Sequence, residues 1–528
     1  MQKKKFYVTI SSDAMPYQKK PHTLKIGLDA DLAEELKWLV PGYSSYRILK
    51  KSVDARNRHN PHFMYSVEVY GPGESPQERK ITVEKVNYQG PKPIIIGSGP
   101  AGLFSALRFV ERGVPCRLFE RGSDSVTRMK AINRFWRYGE LNPQNNVCFG
   151  EGGAGLYSDG KLISRIKSPY IPYVMNRLVK FGAPEEIEYL ANPHVGSDRI
   201  RRVIPKIREF LLANGCEIFF DTQITQILTT TISAKKSVIG VKTLNNETFH
   251  TDKIILATGH SAEDMFYHLA EIDVAIEGKS FAVGLRIEHP QKLINQIQYR
   301  EAAEHPKLGA ANYRLAYHNK KTDIGIYSFC MCPGGYVLSC NTEENRVVCN
   351  GMSNYSRNSQ FANAAIVVSV DHEKTFGSNI WGGLNFRREL EEKAMSQVRV
   401  AHGTNEIPAQ RLIDFLAKRA GQTLPSSSPS GVKAANLHEL LPENIFQELK
   451  SGIEKFDSNM HGFISDQAQL HGVESRTSCP IRITRDKETL QSITHEGLYP
   501  CGEGAGYAGG ITSAACDGIK VVEKILNC

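Results

Sequence analysis

The hydrophobic pattern is densest over residues 94–119. Ile94-Ile95-Ile96 is an unbroken apolar run, as in a strand buried on both faces. Leu103-Phe104-Ser105-Ala106-Leu107-Arg108-Phe109-Val110 carries an apolar stripe at helical spacing, Gly113 closes it, and Pro115-Cys116-Arg117-Leu118-Phe119 reads as the next strand. Together they predict a parallel βαβ unit. Ahead of it, periodicity predicts a strand at 6–10, a helix at 31–39, a basic stretch at 46–58, an alternating strand at 63–70 and a Gly/Pro breaker at 71–76. After it come a basic amphipathic helix at 198–213, strands at 217–220 and 222–228, and a hairpin of 237–243 with 248–251. An apolar strand then ends in Ala257-Thr258-Gly259, and near the C-terminus a strand at 497–501 precedes a helix at 511–526.

Between the first strand and helix lies Gly97-Ser98-Gly99-Pro100-Ala101-Gly102, and Glu120-Arg121 follows the second strand. In this setting the spacing has a physical meaning. Gly97 permits the tight turn, Gly99 lets a pyrophosphate approach the backbone, and Gly102 lets the helix pack close to the sheet. The helix N-terminus offers free N–H groups and a positive dipole end to phosphate. Glu120 can accept from ribose hydroxyls and repels a 2′-phosphate, so the nucleotide expected is FAD or NAD, not NADP. The same bare spacing recurs at Gly150–Gly155 and Gly504–Gly509, but without a complete βαβ frame. Those two are expected to be glycine loops of another kind.

Composition fits a large globular enzyme: 528 residues, 41% hydrophobic, 23% charged. No stretch approaches the ~18 consecutive apolar residues of a transmembrane helix. The basic start lacks an apolar core and reads as a strand, not a signal peptide. Eleven scattered cysteines without a CxxC pair predict a reducing cytoplasm, free thiols and no metal site. The net charge is +9, and residues 1–90 hold 15 Lys/Arg against 10 Asp/Glu. Those charges are scattered, so a solvated basic surface is favoured over a nucleic-acid patch.

The strand ending in Ala257-Thr258-Gly259, downstream of the glycine turn, resembles flavoproteins with a Rossmann-type FAD domain. The closing segment Gly502-Glu503, then Gly509-Gly510-Ile511 at a helix start, resembles the loop with which FAD oxidoreductases complete their site. The likeness implies that Glu503 meets the ribityl chain and that the helix dipole faces the flavin pyrimidine. It moves the expectation from either dinucleotide to FAD. The fold expected is α/β: a Rossmann-type FAD domain over 91–261 and 481–528, an α+β substrate domain inserted at 262–480, and an α+β appendage at 1–90.

The segments Phe149–Leu162, 281–290, 327–336, 350–357 and 473–482 resemble an uncharacterised bacterial family of FAD-dependent dehydrogenases. That family lies in the class that includes geranylgeranyl reductase-type enzymes. The resemblance implies the cofactor and the fold. The first functional expectation is a flavin oxidoreductase that moves a hydride between flavin N5 and a small organic substrate, with a separate electron donor or acceptor because no second Rossmann unit serves NAD(P)H. An RNA-modifying flavoenzyme and a redox sensor without turnover are the alternatives.

Candidate chemistry falls on four residues. Asp159 and Lys161 end the glycine loop at 150–161, which in related flavoproteins runs beside the isoalloxazine. Cys332, in Cys330-Met331-Cys332-Pro333, is either a thiol near the flavin or a buried structural cysteine. Arg476 either clamps an anion or the flavin edge, or forms a structural pair such as Arg476–Glu474. His260, His289 and His471 read as core or surface residues. The polar run 422–431 reads as a lid or an exposed excursion.

Overall fold

The computed structural model describes residues 22–76, 81–232 and 235–527. The strand expected at 6–10 lies outside them.

The N-terminal unit is a three-stranded antiparallel sheet in which His62–Tyr70 lies between His22–Gly27 and Ser45–Asp54. Helix Leu32–Leu39 starts where Asp31 accepts from the N–H groups of Ala33 and Glu34, and it buries Leu32 and Leu36. The basic stretch expected at 46–58 is mostly the strand Ser45–Asp54. Its lysines ride on a sheet edge, where Lys51 Nζ lies 4.9 Å from the Phe63 ring centre. The edge is not left open. Lys51 N–H donates to the Tyr189 carbonyl and Ala191 N–H to the Lys51 carbonyl, each at 2.8–2.9 Å, which joins this unit to the next.

The second unit is the Rossmann-type sheet. Five parallel strands lie in the order Leu498–Pro500, Ile254–Leu256, Ile94–Ile96, Cys116–Phe119, Cys216–Phe219. Alternation sends Ile94 and Ile96 to one face and Ile95 to the other. The Ile95 face packs helices Pro100–Glu111, Ser197–Ala213 and Ile511–Leu526. The opposite face packs the antiparallel strands Ile224–Ile232 and Lys235–Thr243 and helix Glu263–Glu271.

The two helices that begin at glycine turns lie against each other. A Cβ on Gly518 would fall 2.3 Å from the Ala101 carbonyl oxygen. Gly518→Ala is therefore expected to lower the urea midpoint by the equivalent of about 1–3 kcal/mol. An unchanged midpoint would show that the two helices can part at little cost.

The third unit is a seven-stranded sheet in the order Ala316–Asn319, Ile324–Cys332, Phe361–Val370, Phe281–Pro290, Gln469–Glu474, Ile407–Arg411, Val432–Ala434. Only the last pair is parallel. Helices Gln291–Tyr299, Gly382–Val400 and Glu443–Asn459 supply residues to its core. The run 422–431 is pinned to this sheet: Ser427 donates from N–H and Oγ to Glu288, and Ser426 Oγ meets His471 Nε2 at 3.2 Å. Among the described residues no helix is long and apolar enough to cross a membrane.

Candidate functional site

The first glycine turn is shaped as its residue types require. Gly97 has φ +102°, and a Cβ there would fall 2.4 Å from the Ala257 carbonyl oxygen. A Cβ on Gly102 would fall 1.8 Å from the Gly97 carbonyl oxygen. Gly99 differs: a Cβ would meet nothing closer than the Gly153 Cα at 3.8 Å. Gly99 is the N-cap of helix Pro100–Glu111, and no side chain caps that helix. Its first N–H groups are thus left for a ligand.

Glu120 is buried and bonded to the turn. One carboxylate oxygen accepts from Ser98 N–H at 2.9 Å and Ser98 Oγ–H at 2.8 Å; the other accepts from Gly122 N–H at 3.0 Å and Gly150 N–H at 2.9 Å. A carboxylate has about four lone-pair positions, and chain donors occupy all of them. A ribose hydroxyl would have to displace one, and the Ser98 hydroxyl is the donor free to rotate away. Arg121 pairs with Asp264 at 2.8 Å, its guanidinium 4.4 Å from the Phe149 ring centre.

The glycine loop at 150–155, expected not to be a second dinucleotide turn, lies against the first turn. Gly152 N–H donates to the Ser98 carbonyl at 3.0 Å, and a Cβ on Gly155 would fall 3.1 Å from Ile511 Cγ1 and 3.4 Å from Pro100 Cγ. Arg128, which the sequence reading passed over, sets the shape of this loop. Its guanidinium is fully buried and donates to five carbonyls: Asn146 (2.9 Å), Val147 (2.7 Å), Gly150 (3.3 Å), Glu151 (2.7 Å) and Gly153 (2.9 Å). An arginine on an amphipathic helix has an ordinary sequence context, and only the glycine-rich run some twenty residues on hints that backbone needs a donor there.

The closing loop completes the ring. A Cβ on Gly502 would fall 2.9 Å from Ala101 Cβ, and one on Gly504 would fall 2.4 Å from the Gly259 carbonyl oxygen. Asp517, also unforeseen, accepts from Gly502 N–H at 2.8 Å and pairs with Arg485 at 2.7 Å. Gly510 is the uncapped N-cap of helix Ile511–Leu526, and Gly259, Gly509 and Gly510 have open space where a Cβ would stand. Thr258 lies in the turn that Gly97 abuts.

Among the described residues the Glu503 carboxyl has no hydrogen-bond or ion-pair partner, although its backbone carbonyl accepts from Gly506 N–H. Burial pushes its carboxyl up to about 7, with Lys279 pulling it down and Cys330 adding to the rise. A carboxyl raised in the folded chain gives up its proton more easily when unfolded. The group therefore costs stability as pH climbs from 4.5 to about 7, and the loss is complete above that range. In FAD-free protein this is expected to cost about 2–3 kcal/mol between about pH 5 and pH 8. Glu503→Gln is expected to flatten that part of the profile in urea unfolding. A profile of equal slope in the variant would show that the carboxyl is solvated and ordinary.

Of the other candidates, Asp159 is buried and accepts from Arg357 Nη2 at 2.6 Å and from Ser353 Oγ. Lys161 Nζ lies 3.9 Å from Asp159 and donates to the Met331 carbonyl. Leu162 accepts from Thr512 Oγ1 at 2.7 Å, so this segment joins the start of the terminal helix to the Cys-Met-Cys strand. Cys332 is wholly buried, with its thiol pushed up by Cys330 and by burial; Cys330 is largely but not wholly buried, and Cys332, Lys161 and Arg286 draw its thiol below the ordinary range. The less buried, acidic thiol is thus Cys330 rather than Cys332.

Arg476 is tied into the core. It pairs with fully buried Glu391 at 2.8 Å and donates to Ser261 and Thr342, each at 3.1 Å, while Glu474 pairs with Arg286 at 2.9 Å. The expected Arg476–Glu474 pair is replaced by these two pairs: the strand Gln469–Glu474 ends before Arg476, so no strand register holds the two side chains together. In this conformation Arg476 has no free face for an anion. Among the described residues no cluster of His, Cys, Asp and Glu could hold a metal.

A family described as "FAD-dependent protein, C-terminal domain-like" matches residues 280–477. A second, described only as a domain of unknown function, matches residues 23–70. An uncharacterised protein of Clostridium beijerinckii is 39% identical over 519 residues, covering 95% of this chain and 96% of that protein. Solved structures with a distant likeness include CtdE in complex with FAD (10% identity, 83% of this chain and 84% of that chain, TM-score 0.31). Another is the L-amino acid deaminase of Proteus myxofaciens in complex with anthranilate (11% identity, 85% of this chain and 93% of that chain, TM-score 0.33). The family rests on the sequence matches and not on these distant likenesses.

Proposed function

We propose, for a chain that belongs to the family of the Clostridium beijerinckii protein and carries the C-terminal domain of FAD-dependent proteins, a flavin oxidoreductase activity on a small organic substrate. FAD is the cofactor on the strength of the matched family. When bound, it supplies a two-electron acceptor that takes or returns a hydride at N5. The residues fit it. Gly99 leaves room for a pyrophosphate at the uncapped end of helix Pro100–Glu111. Gly502, Glu503, Gly509 and Gly510 border the second uncapped end, at Ile511, where a dipole suits the electron-rich edge of a reduced flavin. Glu120, once a Ser98 donor yields, can take the ribose; Glu503, free of chain partners, can take the ribityl chain.

The observation that supports this reading is the packing of three glycine turns and two uncapped helix starts against one another, with open space left at Gly259, Gly509 and Gly510. Lys161 stands on the side facing the seven-stranded sheet, where its ammonium can hold negative charge that develops on a bound substrate. The substrate then lies between the FAD unit and that sheet, and a separate partner completes the electron cycle.

Anaerobic titration of the purified holoprotein tests the proposal. Dithionite is expected to bleach the flavin by two electrons per chain, while NADH and NADPH leave it oxidised over the same interval. Prompt bleaching by either nicotinamide would overturn the need for a separate partner. A flavin that takes only one electron would overturn hydride transfer.

A further inference from the structure

The Cys330-Met331-Cys332 segment is built in a way that the substrate site alone does not require. Strand Ile324–Cys332 pairs with Phe361–Val370 in regular register up to Phe329↔Ala365, then slips to Cys332↔Asn363, so three residues span the distance of two. The extra residue is a bulge, and Cys330 carries it with φ +45°. In an extended strand the side chains of residues two apart share a face, with Cα atoms about 6.6 Å apart. That is close to the upper limit of about 6.8 Å for a disulfide.

The donors around the bulge are arranged just as closely. Cys332 Sγ–H donates to the Cys330 carbonyl at 3.2 Å, which turns the buried thiol back toward residue 330. Arg286 Nη1 donates to the same carbonyl at 3.4 Å, and Lys161 Nζ donates to the Met331 carbonyl between them. Two cations and a wholly buried second thiol therefore surround the partly buried Cys330 thiol, with Asp159 and Glu503 as the nearby acids. A thiol at the edge of the core with a wholly buried thiol two residues on is the arrangement of an attacking and a resolving cysteine. Glu503 belongs to the closing loop, and Leu162, next to Lys161, is bonded to Thr512 in the first turn of the terminal helix. The pair thus sits beside the end of the site that faces the sheet.

We propose that Cys330 and Cys332 form a thiol–disulfide couple through which a small dithiol or disulfide partner exchanges two electrons with the flavin. The inference rests on the flavin reading above and names the class of its electron partner. The balance is closed. In oxidation the two thiols lose two electrons and two protons, one S–S bond forms, and FAD becomes FADH2. An external dithiol then reduces the S–S bond by exchange, with Cys332 as leaving thiol and Cys330 as the sulfur attacked. Run in reverse, FADH2 delivers electrons to an external disulfide.

The visible spectrum of the purified chain is recorded first, since a chain without FAD refutes the flavin reading before any thiol is touched. The holoprotein is then treated with oxidised dithiothreitol, alkylated, and mapped by mass spectrometry. The expected product links Cys330 to Cys332 and leaves the other cysteines alkylated. Under anaerobic conditions reduced dithiothreitol is expected to bleach the wild-type flavin, and at least tenfold more slowly in Cys330→Ser and in Cys332→Ser at equal FAD content. A wild-type chain that forms no such disulfide overturns the proposal, as does bleaching at an unchanged rate in Cys332→Ser. Should both serine variants lose FAD, alkylation of the wild type by iodoacetamide replaces them: modification confined to Cys330 must slow the bleaching by the same factor, and an unaltered rate overturns the couple.

Discussion

A Gly99→Ala variant is expected to fold as the parent does and to purify largely without FAD. The added methyl has room, since its nearest neighbour is the Gly153 Cα at 3.8 Å, and the position is an N-cap with φ −70° that alanine adopts freely. The cost to the FAD-free chain is at most about 1 kcal/mol, the difference between Gly and Ala at an N-cap. The methyl does stand where a pyrophosphate must approach the first N–H groups of helix Pro100–Glu111. Affinity for FAD is expected to fall at least tenfold, about 1.4 kcal/mol. Gly102→Ala is the contrast, because its Cβ would fall 1.8 Å from the Gly97 carbonyl oxygen and the helix must leave the sheet. Flavin content by absorbance and the urea midpoint of each apoprotein separate the two. If Gly99→Ala binds FAD as tightly as the parent, the pyrophosphate does not cross that turn.

Arg128→Met is expected to destabilise the chain by at least about 3 kcal/mol and to abolish FAD binding. The methionine fills much of the space but takes the guanidinium from five carbonyls, and those of Asn146, Val147 and Glu151 are left without a chain donor, whereas Gly150 and Gly153 keep the N–H groups of Gly153 and Leu156. The loop then has no reason to hold Gly150 and Gly152 against Glu120 and Ser98, and two of the contacts that order the first turn go with it. Arg128→Lys is expected to recover only part of the loss, because three donors on a flexible stem cannot reach five acceptors fanned around a planar fork. Urea unfolding with the FAD content of each variant checks both. A methionine variant of full stability would mean that water or a shifted loop satisfies the carbonyls.

The dinucleotide unit was legible because its chemistry is local. Ile94–Ile96, the turn at Gly97–Gly102, the helix and Glu120 follow one another, so the pattern of apolar and glycine positions is the structure. The strand at Ile254–Leu256 and the closing loop at Gly502–Ile511 were legible through their likeness to other flavoproteins. What escaped was long-range. Nothing at residues 150–155 says that this loop meets Gly99 and Ile511, because the contact depends on Arg128 reaching across from another helix. The basic stretch at 46–58 hid a strand because its lysines lie on an edge whose alternate residues are only half-covered. Cys332 is wholly buried and Cys330 less completely so, a difference that residue types alone do not show because it arises at the bulge between Phe329 and Cys332. Arg476 pairs with Glu391, a partner 85 residues away that no spacing rule points to.

The measurement that bears most directly on the central claim is the flavin content of the purified chain, read from its visible spectrum and from the nucleotide released on denaturation. The account predicts an oxidised-flavin spectrum with one FAD released per chain, and the same stoichiometry after stripping and reconstitution. A colourless chain that takes up no FAD on reconstitution would contradict it, and the three glycine turns would then be only the packing of two helices on a sheet.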